Sequence, residues 1–462
     1  MNLKPERVFH YFREISDIPH GSHNEKAISD YIYNFGKKLG LEAKQDDLLN
    51  VYIRKPATKG YENKPGIILQ GHMDMVCEKA TSSNHDFATD KIEWVIKDDL
   101  IFANDTTLGA DDGIAVAMAM AILEDENLVH PELEVIITVA EETTMGGALG
   151  LEKGLLKGKY LFNIDSEEEG ILTLGSAGGT LFKTNLELKF ENREVELVKL
   201  HFDGYFGGHS GMEIGKNRRN MIKTIAEFIK ESGLSIASVN CGNKDNAIPR
   251  VGELVIENSE KLDELIAKFT EKYNGEEQLT IDKKEIFKGK VLTNALKDVL
   301  VEVLETLPTG VNTQDETGII SSSNLAIVQT TENEILIRDS IRSASISILE
   351  EMKNSFAKIA EKFCLNYEFA GGYPSWEKKE NSSLQKYANK VYKDLTGKEF
   401  ENIIIHAGLE CGAIYEKYPN LELISFGPDI RGAHTPKENI SISSTERVYD
   451  FTLKLIEEIA KN

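Results

Sequence analysis

The sequence predicts an α/β domain into which a second, α+β domain is inserted. Three observations carry that reading. Up to about residue 178, short apolar runs alternate with helical stretches, the rhythm of strands and helices built around one sheet. The run Leu174-Gly-Ser-Ala-Gly-Gly-Thr180 then interrupts that rhythm with small, flexible positions. A second interruption, Ala370-Gly-Gly-Tyr-Pro-Ser-Trp376, precedes a return to helix and apolar run. Residues 1–178 and 373–462 are therefore read as one discontinuous domain, and residues 179–372 as the insert.

In the first segment Ile67–Leu69, Leu133–Val139 and Tyr160–Ile164 read as buried strands, and Ile114–Leu123 as an Ala-rich buried helix. In the insert, Leu186–Phe190 and Leu197–Phe202 alternate as strands do. Arg219–Lys230 and Lys261–Lys272 space their apolar residues for one buried helical face. The last segment offers a helix, the run Ile403–Ile405 and a terminal helix from Thr445. No internal repeat or low-complexity tract is visible.

Composition narrows the function classes. A chain of 462 residues, 41% hydrophobic and 28% charged, can bury more than one core. Its 53 basic and 76 acidic residues leave a net charge of −23, which repels nucleic acid and anionic membranes, so neither is expected as a partner. The longest apolar run, Ile114–Leu123, falls well short of the roughly 20 residues a membrane helix needs. The first twenty residues lack the apolar core of a secretory signal. Cys77, Cys241, Cys364 and Cys411 are too scattered for a disulfide framework. A cytoplasmic location is expected. Cys411 reads as a small buried residue, because no base partner is evident.

The chemistry gathers at apolar-run ends. Ile67-Ile-Leu-Gln-Gly-His72-Met-Asp74 leaves an imidazole and a carboxylate two residues apart where a strand leaves its sheet, the place α/β sheets keep their sites. Alone, this is an ordinary loop pair. Leu108-Gly-Ala-Asp111-Asp112-Gly113 opens the Ala-rich helix. Capping would explain one aspartate, and the other, assigned as Asp111, is free to bridge metals. The run Leu133–Ala140 ends in Glu141-Glu142, adjacent carboxylates that repel unless a cation compensates them. Tyr160-Leu-Phe-Asn-Ile-Asp165 ends in a third carboxylate, and Gly432-Ala-His434-Thr-Pro436 adds a second imidazole. Together these are mixed nitrogen and oxygen ligands for two metals sharing a carboxylate. Zinc suits them, with cobalt or manganese as substitutes.

On these motifs the chain resembles the aminoacyl-histidine dipeptidases, within the dinuclear zinc metallopeptidase superfamily that includes carboxypeptidase G, tripeptidase and aminoacylase. The resemblance runs nearly the whole length. It implies a zinc-peptidase catalytic domain with an inserted lid domain, two zinc ions per chain and dipeptide substrates. His72, Asp111 and Asp165 would hold one ion, and Asp111, Glu142 and His434 the other. Asp74 would orient His72, and Glu141 would take the proton of a metal-bridging water. Gly207-Gly-His209-Ser-Gly211, Asn246-Ala-Ile-Pro-Arg250 and His406-Ala-Gly-Leu-Glu-Cys-Gly412 resemble this subfamily in particular. They imply His209 as an oxyanion donor from the lid, and Asn246 and Arg338 as holders of the substrate carboxylate, with Arg342 a close rival to Arg338. The stretch Gly215-Lys-Asn-Arg-Arg-Asn220 departs from the small residues more familiar there. Association as a homodimer through the lid is the further expectation. The competing readings are an acyl amino acid deacylase or tripeptide aminopeptidase on the same core, and a metal-binding protein without turnover.

Overall fold

The structure, a computed structural model, describes residues 3–315 and 318–462. Its contacts divide the chain into residues 1–175, 378–404 and 409–462 in a first unit, and 176–377 and 405–408 in a second. The boundaries read from sequence lie a few residues from these. Residues 405–408, expected with the first domain, belong to the second unit.

The first unit is built on one sheet. Its strands lie in the order Glu42–Gln45, Val51–Lys55, Leu133–Thr138, Ile67–His72, Tyr160–Asn163, Glu422–Ser425, Ile171–Ser176, Glu401–Ile405. The four from Leu133–Thr138 to Glu422–Ser425 are parallel and buried along their whole length, which is why they read as unbroken apolar runs rather than alternations. The helix Ala110–Glu124 is rich in strong helix formers and has no polar face, so it can only be a core helix. Gly71 lets it lie close to the sheet, since a Cβ there would stand 2.8 Å from that of Ala115. Helix Glu6–Ser16 turns Phe9, Phe12 and Ile15 inward. The terminal helix Ile442–Lys461 starts where the Ser441 hydroxyl accepts the Ser444 amide, and it buries Val448, Phe451, Leu455 and Ile459 at helical spacing. A small antiparallel sheet of Ile430–Arg431, Asn439–Ser441, Leu100–Ala103 and Trp94–Lys97 completes the unit.

The second unit centres on an antiparallel sheet running from Thr280–Leu292 through Phe190–Asp203, Gly252–Glu257, Ile236–Cys241, Gly318–Thr330, Glu334–Ser343 and Gly178–Glu187 to Tyr367–Tyr373. Helices Met221–Ser232, Leu262–Thr270, Asn294–Thr306 and Ile346–Lys362 supply Ile225, Phe228, Phe269, Leu300 and Phe356 to its own separate core. Gly178 and Gly179 are strand residues, not a flexible break. Their smallness lets another segment approach, for a Cβ on Gly178 would stand 2.4 Å from the Ser375 amide nitrogen. Gly371 and Gly372, both with positive φ, sit at an irregularity in the Tyr367–Tyr373 strand. Among the described residues no helix is long and apolar enough to cross a membrane.

Candidate metal centre

Parallel pairing sets the geometry. His72 lies beside Thr138 in register, and Gln70 beside Asn163, so three strands finish side by side at their carboxyl ends. His72 closes the first. Asp165 follows the second by two residues. After the third the chain turns at Ala140, whose φ of 52° is left-handed, and delivers Glu141 and Glu142. Asp111 enters from the turn at Gly109, also left-handed, just before the regular helix begins. Neither aspartate of the pair caps that helix through its side chain, which removes the capping explanation for them. His434 comes from the loop between Ile430–Arg431 and Asn439–Ser441.

The Asp111 carboxylate stands between two imidazoles. Its Oδ1 is 3.3 Å from His72 Nε2, and its Oδ2 is 3.2 Å from His434 Nε2. Asp165 Oδ1 lies 3.4 Å from His72 Nε2, and Glu142 Oε2 lies 2.9 Å from His434 Nε2. Asp112 also has an oxygen within reach of His72 and Asp165, but its Oδ2 accepts the His72 backbone amide at 3.3 Å. That leaves Asp111 as the aspartate whose two oxygens face the two rings.

Asp74 is placed otherwise than the simple pairing with His72 suggests. His72 Nδ1 lies 3.0 Å from the backbone carbonyl of Asp74 and 3.6 Å from its carboxylate. The carboxylate instead accepts the amides of Glu141 and Glu142 at 3.0 and 3.3 Å and the Ser22 hydroxyl at 2.8 Å. Residue 74 thus fixes the His72 ring through its main chain and the Glu141–Glu142 turn through its side chain.

The electrostatics are those of buried anions short of positive charge. Burial pushes Asp165 up to about 6, with Asp111 and Glu142 adding to it. Glu141 is driven well above the carboxylate range by burial, with Asp165, Glu410 and Glu142 contributing. His434 rises to about 11 through its hydrogen bonds to Asp111 and Glu142. Among the described residues Glu142 Oε1 is buried without a partner. A cation relieves all of these at once. The imidazole-to-carboxylate distances of 2.9–3.4 Å also match the edge, about 3.3 Å, of a tetrahedron with bonds of about 2.0–2.1 Å. The residues fit two cations, one by His72 and Asp165 and one by Glu142 and His434, with Asp111 between.

Below the strand ends lies a network that motif reading missed. The buried Glu410 Oε2 accepts from Gln70 Nε2 and Thr138 Oγ1, each at 2.6 Å, and Gln70 Oε1 accepts from Asn163 Nδ2 at 2.6 Å. Burial lifts Glu410 to about 8, with Asp165 and Asp74 adding to it. The signal available beforehand was a polar residue inside each apolar run.

The residues expected in the insert fall in the second unit. His209 lies in a two-residue strand paired with Ala247–Ile248, and the Ser210 amide donates to the Asn246 carbonyl at 2.8 Å. His209 Nδ1 accepts the Gly211 and Met212 amides at 3.1 and 3.2 Å, which leaves Nε2 to carry the proton. Burial and then Arg342 hold its pKa down, so the ring is a neutral donor. Arg338 is partly exposed and 3.6 Å from Asp245. Arg342 is buried, bonds the Tyr373 hydroxyl, and its charge acts on both His209 and His406. His406 bonds the Ser322 hydroxyl at 2.6 Å.

A mixed sheet whose central strands are parallel, with imidazoles and carboxylates converging at their ends, defines a metallohydrolase of α/β type. Residues 68–458 match the peptidase family M20/M25/M40, and the chain belongs to that family as a metallopeptidase. It is 35% identical to the cytosol non-specific dipeptidase of Escherichia coli (strain K12), over 99% of this chain and 98% of that one. The crystal structure of aminoacylhistidine dipeptidase from Vibrio alginolyticus superposes with a TM-score of 0.90 at 33% identity, covering 99% of this chain and 97% of that one. A tripeptidase from Staphylococcus aureus shares the fold at a TM-score of 0.60 and 18% identity, each chain covered in full.

Proposed function

We propose that this chain is a cytoplasmic, homodimeric dipeptidase that holds two zinc ions and cleaves unblocked dipeptides, Xaa-His dipeptides among them. The observation that carries the reading is the single carboxylate of Asp111 with one oxygen toward each of two imidazoles. The full-length likeness to two proteins named as dipeptidases supports the substrate class. Imidazole and carboxylate donors without thiolate favour zinc, with cobalt or manganese as substitutes. The dimer rests on the family resemblance and on the open edge strand Thr280–Leu292, from which Ile286 projects.

His72, Asp111 and Asp165 would hold one ion, and Asp111, Glu142 and His434 the other; bound there, the ions would supply Lewis acidity to water and to the substrate carbonyl. Glu141 takes a proton from the attacking water and returns it to the leaving nitrogen as the C–N bond breaks. Asp74, through the two amides it accepts, keeps Glu141 and Glu142 in place. His209 donates from Nε2 to the developing oxyanion. Arg342, together with Asn246, takes the carboxylate-binding role expected of Arg338, because Arg342 shares the surroundings of His209.

The test is zinc content together with hydrolysis of an Xaa-His dipeptide, a tripeptide and an N-acetyl amino acid, by wild type and Glu141→Ala. Two zinc ions per chain, cleavage of the dipeptide above the others, and its loss in the variant are expected. Preference for the tripeptide or the acyl substrate would transfer the chain to the aminopeptidase or deacylase reading. Zinc binding without any cleavage would make it a binding protein.

A further inference from the structure

The loop that carries His434 returns a few residues later with a second side chain, Glu438, which none of the chemistry above uses. Glu438 is almost fully buried, and among the described residues no lysine or arginine pairs with it. Its partners are backbone amides. Oε2 accepts from Leu108 and Gly109 at 2.7 and 3.1 Å, and Oε1 from Ala110 and Asp111 at 2.7 and 3.3 Å. Four consecutive N–H groups of the turn that presents Asp111 are thus gathered on one carboxylate. Charge-assisted bonds of this type are among the strongest the backbone makes.

The two imidazoles at the centre are not held alike, although the Glu142 and Asp165 carboxylates beside them are enclosed to a similar degree. His72 closes a central strand and is buried, on a backbone held by pairing on both sides. His434 stands on a loop, with a left-handed φ of 62° and a side chain 53% exposed. Between the strands Ile430–Arg431 and Asn439–Ser441, its loop is tied to the Asp111 turn by Glu438.

We infer that Glu438 is a positioning residue that registers the His434 loop against the Asp111 turn and thereby weighs more on the metal position that uses His434 than on the one that uses His72, Asp111 being common to both. This rests on the two-metal reading given above. Partners that orient metal ligands typically change affinity by about 10–100-fold when removed. In Glu438→Gln an amide group faces amide donors, so part of the clamp becomes repulsive while side-chain volume is kept.

The measurement is a zinc titration of the full-length, chelator-stripped protein against a chromophoric competitor, with thermal melting in parallel. Wild type is expected to take up two ions. Glu438→Gln is expected to keep one affinity within a few-fold and to lose about 10–100-fold in the other. Glu134→Gln is the control for simple destabilisation. Glu134 is also a buried carboxylate accepting backbone amides, those of Lys157 and Gly158, but it lies near the start of its strand, away from the donor set. It is expected to lower the melting temperature with both affinities unchanged. If Glu438→Gln does not fold, Glu438→Asp, one methylene shorter with its charge kept, carries the same expectation. Two unchanged affinities, or two that fall together with stability, overturn the inference. Fewer than two ions in wild type overturn the two-metal reading beneath it.

Discussion

At the scale of single residues, the consequential placement is that of Asp74. Because the His72 ring is held by the carbonyl of residue 74, exchanging the side chain leaves its tautomer in place. What the exchange disturbs is the pair of amides at Glu141 and Glu142. Asp74→Asn puts an amide nitrogen where one acceptor stood, next to a backbone donor. The expected outcome is a fall in kcat of about 10–100-fold, with metal still bound beside His72. Metal analysis alongside kinetics checks it, and loss of the His72-side ion would return the carboxylate to the simple role of imidazole partner. The sequence showed the His-x-Asp spacing but not this division, because main chain and side chain of one residue read as the same letter.

At the scale of elements, the three strand ends are joined from below by Gln70, Thr138, Asn163 and Glu410. Among the described residues Glu410 Oε1 and Asn163 Oδ1 have no partner, so the bonds that the network does make carry its stability. Thr138→Val keeps the shape and removes one of two donors to Glu410 Oε2. It is expected to cost about 1–3 kcal/mol in urea denaturation, the penalty for an under-satisfied buried acceptor. A change below a few tenths would show that Thr138 contributes only volume. The strands and the Ala-rich helix were legible because a buried parallel strand and a core helix both write themselves as apolar runs with sharp ends. The network was not, since its partners are up to 340 positions apart and each looks like a lone polar substitution. Gly178 and Gly179 misled for a related reason. Glycine marks both a flexible turn and a close approach, and only the neighbouring chain at Ser375 tells which.

At the scale of the whole molecule, the α/β reading with a long insert matches the architecture, whereas the return of residues 405–408 to the second unit had no marker in the sequence. Each unit has its own apolar core, and every candidate metal donor belongs to the first. An ion that binds the folded first unit and not its unfolded form stabilises that unit alone, by about 4 kcal/mol at a thousandfold excess over Kd. The chain's two tryptophans divide the same way, Trp94 in the first unit and Trp376, fully buried, in the second. Single-tryptophan variants, Trp376→Phe and Trp94→Phe, therefore report one unit each. Stripping the ions is expected to lower the Trp94 transition by about 10 °C, at about 2–4 °C per kcal/mol for a unit of this size. The Trp376 transition is expected to stay where it was. If both transitions move together, the units unfold as one cooperative body; if only the Trp376 transition moves, the ions are bound elsewhere than at His72, Asp111 and His434.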